Sequence, residues 1–243
     1  MILLFTDYGP AGPYVGQMHL VLRRLAPEVP IVDLQHDAPA FRPDLAGYLL
    51  AAHLAWAEPG DVVVAVVDPG VGTDRAPLAL RLDGIWLVGP DNGLFEPALR
   101  RAREIECHHI RWRPRRLSAS FHGRDLFAPV AARLARGDRS ALGPGEPTRM
   151  PHVPEDLPAV VYLDPYGNAV TGLRAARFPA SARLRVGERI LVRARTFAEV
   201  PHGSPFCYEN SSGLLEIAAN RASAAEMLGL RLGDAVEIVA ADC

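Results

Sequence analysis

Residues 61–75 read DVVVAVVDPGVGTDR, an unbroken apolar run from Val62 to Val67 that ends in a glycine-rich turn carrying Asp68 and then Arg75. Apolar at every position rather than at alternate ones, the run predicts a strand covered on both faces, as in a parallel sheet flanked by helices. In open parallel sheets ligands bind outside the carboxyl ends of the strands, which is where Asp68 would stand. Taken alone, Asp68-Pro69-Gly70 would serve equally well as a plain tight turn. Repetition favours a cleft: ILLFT ends at Asp7, VPIVDLQ in His36-Asp37, and GIWLVG in Asp91-Asn92-Gly93. Parallel strands would bring these groups to one edge of one sheet.

Working outward, the chain alternates strand and helix patterns. Val15, Met18, Val21, Leu22 and Leu25 recur at helical spacing within 14–25, and residues 44–56, opened by Pro43, predict a second helix. LALRLDG and IWLVG predict a hairpin around Asp83-Gly84. Leu126, Val130, Ala131 and Leu134 predict a helix ending at Gly137, with His122 at its N-terminal approach, a place where a lone histidine is commonly a cap or packing residue. Between 138 and 158 the composition turns to Gly, Pro, Ser and Glu, which predicts a boundary. Beyond it AVVYLD, ARLRVG, RILVRAR, LLEIA and AVEIVA are short alternating segments, interrupted by a helix near 222–228, as expected of a small β-barrel or sandwich. The expected organisation is thus α/β: an N-terminal mostly parallel sheet flanked by helices (1–145), a Pro-rich linker (146–158) and a smaller C-terminal β-barrel domain (159–243).

Composition excludes several function classes. The 243 residues, 49% of them hydrophobic, supply material for a substantial core, and a formal net charge of -2 gives no general basis for binding nucleic acid. Arg111, Arg113, Arg115 and Arg116 around Trp112 are a local exception, read as a solvated loop because Pro114 interrupts them. Every one of the 26 basic residues is arginine. Without lysine there can be no Schiff base, no pyridoxal phosphate enzyme and no P-loop. Cys107, Cys207 and Cys243 lack CxxC spacing, which fits a reducing compartment and suggests neither a disulfide framework nor a zinc site. The start goes directly into ILLF, and no later apolar run approaches a membrane span, so a soluble cytoplasmic protein is expected. In that compartment Asn210-Ser211-Ser212 has no meaning as a glycosylation site.

TDYGPAGPYVGQM (6–18), VVDPGVGTDR (66–75), GPDNGL (89–94), SFHGRDLFAP (120–129), LDPYGN (163–168) and ENSSGLLEIAANRASAAEMLG (209–229) occur in this order. Together they resemble the S-adenosyl-L-methionine hydroxide adenosyltransferases, relatives of the fluorinase and chlorinase. The resemblance implies conversion of S-adenosylmethionine and water to adenosine and L-methionine, without metal or additional cofactor. It also implies a homotrimer whose active sites lie between one subunit's N-terminal domain and the next subunit's C-terminal domain. Carried over by position, the catalytic triad falls on Asp68, Arg75 and His122. Asp7 corresponds to the carboxylate on the ribose hydroxyls, Phe41 to an aromatic ring over the sugar, and Asp164, Asn168 and Ser211 to contacts with methionine and adenine. Two positions depart from the family pattern: Gly12 stands where a first-loop aspartate is usual, and Ala222 where a glycine is usual.

The residue types suit that chemistry. A sulfonium leaves as a neutral thioether, so the difficulty lies with the nucleophile, and a guanidinium beside a bound water favours its ionised form. A carboxylate at Asp68 can receive a proton from water but repels a halide, which argues against halogenation. Two other classes stay open. Asp7, Asp33, His36, Asp37, Asp91, Asn92 and His122 could be ligands of a metal-dependent phosphoesterase, although no HxxxH or paired DxH spacing accompanies them. The triad could also be a structural ion-pair network in a non-catalytic nucleoside-binding module.

Overall fold

The apolar run forms strand β3 (Val62–Val66), buried along its whole length. The computed structural model describes residues 1–239, so Cys243 and Ala240, the last residue of AVEIVA, lie outside it. The chain divides into two units, Met1–Val153 and Pro154 onward.

In the first unit the strands are β1 (Ile2–Thr6), β2 (Ile31–Gln35), β3, β4 (Pro77–Leu82), β5 (Ile85–Pro90), β6 (Ile105–Ile110) and β7 (Leu142–Pro144). The helices are α1 (Pro13–Leu25), α2 (Pro43–His53), α3 (Glu96–Arg101) and α4 (Ala128–Ala135). Val62, Val64 and Val66 share a core with Met18 and Leu22 of α1 and with Val130 and Leu134 of α4. Because side chains alternate across a strand, Val63 and Ala65 turn to the other side, and they too are fully buried. Burial on both sides explains the unbroken apolar run, each valine contributing about 1.5–3 kcal/mol relative to exposure.

The seven strands are ordered β2-β1-β3-β5-β4-β6-β7. Pairs β2/β1, β1/β3 and β3/β5 are parallel, whereas β5/β4, β4/β6 and β6/β7 are antiparallel. The sheet is therefore mixed rather than mostly parallel. The cause is local: Asp83 and Gly84 both adopt positive φ (48° and 89°), as a tight hairpin turn requires, and reverse the chain where a crossover helix would have kept it parallel. Strand β6 (IECHHI) lacks an apolar pattern because Glu106 faces water and pairs with Arg81 and Arg139.

The parallel half positions the site. Its strands bring His36, Asp7, Asp68 and Asp91 to one edge, where backbone bonds tie the loops together: Asp7 N–H donates to Val66 O (3.3 Å) and Gly9 N–H to His36 O (2.7 Å). Asn92 Nδ2 donates to Val67 O at 2.9 Å, fastening the end of β5 to that of β3.

In the second unit, β12 (Pro205–Glu209), β13 (Leu214–Ala219), β9 (Ala169–Arg174) and β8 (Leu157–Leu163) form a four-stranded antiparallel sheet. Strands β11 (Arg189–Leu191), β10 (Arg183–Val186) and β14 (Glu237–Val239) form a three-stranded one. The expected barrel is corrected to these two antiparallel sheets. Among the described residues only isolated bridges outside the strands, such as Ala159–Ala235 and Arg193–Cys207, supplement them, and the ladder does not close. Helix α5 (Ala224–Leu228) begins at Ala224 because the Ser223 hydroxyl accepts the Glu226 amide as a cap. Cys107 and Cys207 are free thiols, and among the described residues no helix is long and apolar enough to cross a membrane.

Part of the Pro-rich stretch is fixed to the first unit. The Thr148 amide and hydroxyl donate to Asp91, and the Met150 amide and Arg149 guanidinium donate to Glu96, whose side chain is 1% exposed. Glu96 also meets Arg100 at 3.0 Å. Glu96→Ala should lower the unfolding free energy by about 1–3 kcal/mol, the worth of charge-assisted bonds to a buried carboxylate. Urea melts measure this, and a loss under about 0.5 kcal/mol would mean that other contacts hold residues 148–150.

Candidate active site

Asp68 follows β3, Arg75 ends the glycine-rich turn, and His122 lies one residue before a π-helical turn (Gly123–Phe127) that leads into α4. The structure brings them into contact. Arg75 donates from Nε to Asp68 Oδ1 at 2.6 Å and from Nη2 to Asp68 Oδ2, and its Nη2 lies 3.1 Å from His122 Nδ1. The two charged side chains are 4% and 8% exposed, and the guanidinium sits over the Phe127 ring with its carbon 5.6 Å from the centroid. The turn is close-fitting: Gly72 has φ +83°, and a Cβ there would come within 2.8 Å of Ala119 O.

The contact with Arg75 fixes the state of the imidazole. A guanidinium has donors only, so Nδ1 of His122 must accept, and the ring's own proton is on Nε2. Burial, and then the positive charge of Arg75, hold the His122 pKa below the ordinary histidine value. His122 is thus a neutral ring whose remaining nitrogen is a donor.

Asp68 and His122 line a cavity of about 530 Å³ together with Asp7, Tyr8, Tyr14 and Phe41. That volume suits a small organic ligand. Asp7 accepts the Phe41 amide at 3.2 Å, and burial raises its pKa. Phe41 has φ 62° and is 73% exposed, a strained backbone carrying an uncovered ring at the cavity wall. Sequence reasoning missed the aromatic lining of Tyr8, Tyr14 and Phe121, whose rings meet at 5.4–5.8 Å between centroids. The signal lies in TDYGP and SFHGRD, where the aromatic residues stand directly beside the ionisable ones. Burial, and then the charges of Asp7 and Asp68, push the Tyr8 pKa up, so its hydroxyl keeps its proton. Gly123 packs against that hydroxyl, where a Cβ would overlap it.

Other sequence-selected residues lie elsewhere. Asp91, although at the same sheet edge, is taken up by Thr148. Asp33 is shared by His19 and His36 at 2.8 and 3.0 Å, and Asn92 braces the sheet edge. Among the described residues no three His, Cys, Asp or Glu side chains gather into a metal-binding group.

Asp164, Asn168 and Ser211 line a cavity of about 840 Å³ in the second unit. Asp164 holds its own turn: Oδ1 accepts the Tyr166 and Asn168 amides (2.9 and 2.8 Å), and Oδ2 accepts Asn168 Nδ2 (2.8 Å).

Comparison with known proteins agrees with this architecture. The SAM hydroxide adenosyltransferase N-terminal domain matches residues 2–143 and the C-terminal domain of the same family residues 158–237. An (R)-S-adenosyl-L-methionine hydrolase of Thermus thermophilus is 42% identical, the match covering 98% of this chain and 99% of that protein. One from Salinispora arenicola is 40% identical over 97% and 96% of the two chains. A solved structure of an uncharacterized conserved protein from Thermotoga maritima superposes with a TM-score of 0.86 at 30% identity, covering 98% of this chain and 99% of that one.

The histidine state is measurable. In ¹⁵N NMR titrations His122 should show the Nε2–H tautomer and titrate below the usual value of about 6.5. Arg75→Gln should move that pKa upward by removing a neighbouring cation, whereas an unchanged or falling value would contradict the contact.

Proposed function

The chain belongs to the SAM hydroxide adenosyltransferase family and is an S-adenosyl-L-methionine hydrolase, and we propose that Asp68, Arg75 and His122 carry its chemistry. One observation supports this reading above the rest: Asp68 and His122, joined by hydrogen bonds through Arg75, both line the cavity that Asp7 and Phe41 also line.

In this proposal Asp7 accepts the ribose hydroxyls, Phe41 lies against the sugar, and a water is held in line with C5′ and the sulfur. The oxygen–C5′ bond forms as the C5′–sulfur bond breaks. Its electron pair leaves with sulfur, giving neutral methionine thioether and adenosine. The water's proton passes to Asp68 and then to solvent. Asp68 is chosen over His122 because His122 Nδ1 already accepts from Arg75 and its other nitrogen carries a proton. His122 then serves as donor to the water oxygen, and Arg75 holds Asp68 and His122 in place through its hydrogen bonds while its positive charge favours developing hydroxide character.

A positioned base contributes roughly 10²–10⁴ in rate, whereas alignment of oxygen, carbon and sulfur contributes about 7–11 kcal/mol, so geometry outweighs basicity. Water rather than a halide is the second reactant, because an ionised carboxylate in the wall can take a proton from water and offers a halide only repulsion.

Asp164, Asn168 and Ser211 are proposed to contact the methionine and adenine ends, Asp164 partly through the turn it holds. We further propose a cytoplasmic homotrimer in which the C-terminal cavity of one copy serves the N-terminal cleft of a neighbouring copy.

Turnover of S-adenosylmethionine to adenosine, followed chromatographically, tests the triad. Asp68→Asn and His122→Ala should each lower kcat by about 10²–10⁴ while changing KM less than about fivefold. Either variant retaining wild-type turnover would remove that residue from the mechanism.

A further inference from the structure

Carboxylates withdrawn from water are ordinarily neutralised, because an unpaired buried charge is costly. This chain follows the rule in most places. Asp61 meets the N-terminal ammonium at 2.7 Å, Asp68 meets Arg75, and Glu96 meets Arg100 and Arg149.

Glu216 does not. It lies within β13 at 5% exposure and, among the described residues, has no cationic partner. Its Oε1 accepts the Tyr208 hydroxyl at 2.6 Å and its Oε2 accepts Asn210 Nδ2 at 3.0 Å, both neutral donors. Its two donors, the Tyr208 hydroxyl and the Asn210 amide, call for an acceptor there but not for a charged one. What distinguishes the position is the cavity. Glu216 and Asp164 both line the 840 Å³ space, with the aromatic rings of Tyr166, Phe197 and Tyr208 around them. Arg221 also lines the space but makes no ion pair with either carboxylate among the described residues, so two carboxylates among aromatic rings leave a site for a further cation.

On the reading that this chain hydrolyses S-adenosylmethionine, we propose that Glu216 is a substrate-recognition residue whose carboxylate pairs with the α-ammonium of the methionine half. That group brings a positive charge and three N–H donors, while each Glu216 oxygen keeps a free lone pair. A neutral amine, such as the exocyclic amine of adenine, would only repeat the neutral bonds already made by Tyr208 and Asn210. The sulfonium has no N–H to offer. Burial first, and Asp164 in addition, raise the Glu216 pKa, so an arriving ammonium also stabilises its ionised form.

The test is calorimetric binding in an Asp68→Asn background, in which S-adenosylmethionine persists, with adenosine as the control ligand. Glu216→Gln should weaken S-adenosylmethionine by roughly tenfold or more and adenosine by less than about twofold. Equal losses for both ligands, or none for either, overturn the proposal. A second readout needs no change at 216. Asp164, Tyr208, Tyr166 and Arg221 are the other ionisable groups lining the cavity. As pH rises through the raised Glu216 pKa the ammonium stays protonated while Glu216 ionises, so S-adenosylmethionine should gain more affinity than adenosine, the ribose contact at Asp7 being common to both ligands. Glu216→Gln should remove that difference between the two ligands, and a difference that survives the substitution assigns the titration elsewhere and contradicts the pairing. Both readouts are equilibrium binding, so a chain that binds without hydrolysing would sink the mechanism and leave this inference standing.

Discussion

A guanidinium donates hydrogen bonds and never accepts one, and in this molecule that property determines what the groups around Arg75 can do. The Nε and Nη2 donors of Arg75 are committed to both oxygens of Asp68, and Nη2 also reaches His122 Nδ1. Asp68 is thereby held through both its oxygens, and His122 is left with its proton on Nε2. The arrangement depends on the sheet. β3 ends where Asp68 is needed, Asn92 fastens the neighbouring strand to it, and Gly72 lets the turn come close against Ala119 O so that Arg75 returns to the strand end. The fold and the chemistry meet at this one guanidinium.

The same electrostatic logic divides the acidic residues. Asp61, Glu96 and Asp156 are matched by an ammonium or by arginines and serve the structure. Glu216 is buried and Asp7 half-buried, and among the described residues both receive neutral donors and line cavities. For both, burial raises the pKa, the direction expected of a carboxylate awaiting a ligand. A chain whose cations are all arginine can make this division sharply, because arginine stays charged in any surroundings.

What the sequence makes legible follows from how local the signal is. The run from Val62 to Val67 specifies a strand covered on both faces, and the ends of β1 and β3 mark the sheet edge where Asp7 and Asp68 stand. Strand β6 was illegible because its Glu106, His108 and His109 lie on partly exposed strand positions and leave no apolar period. Strands β7, β9 and β12 are not legible for want of length or pattern, nor is α3, whose six residues opened by Glu96-Pro97 give too little periodicity. The mixed character of the sheet follows from the Asp83-Gly84 reversal, which is legible as a turn although the pairing of β4 with β6 beyond it is not. At the site, ionisable residues were easy to select and their aromatic surroundings were not, since Tyr8, Tyr14 and Phe121 come together only through the fold. Asp91 shows the opposite error: the right strand end, but a carboxylate spent on Thr148.

The central claim is that a water held beside Asp68, Arg75 and His122 displaces sulfur from C5′. It is tested most directly by incubating the protein with S-adenosylmethionine in ¹⁸O-labelled water and determining the mass of the nucleoside. The account predicts one heavy oxygen at the 5′ position of the released adenosine. Unlabelled adenosine, or a nucleoside carrying another group at that carbon, would contradict it.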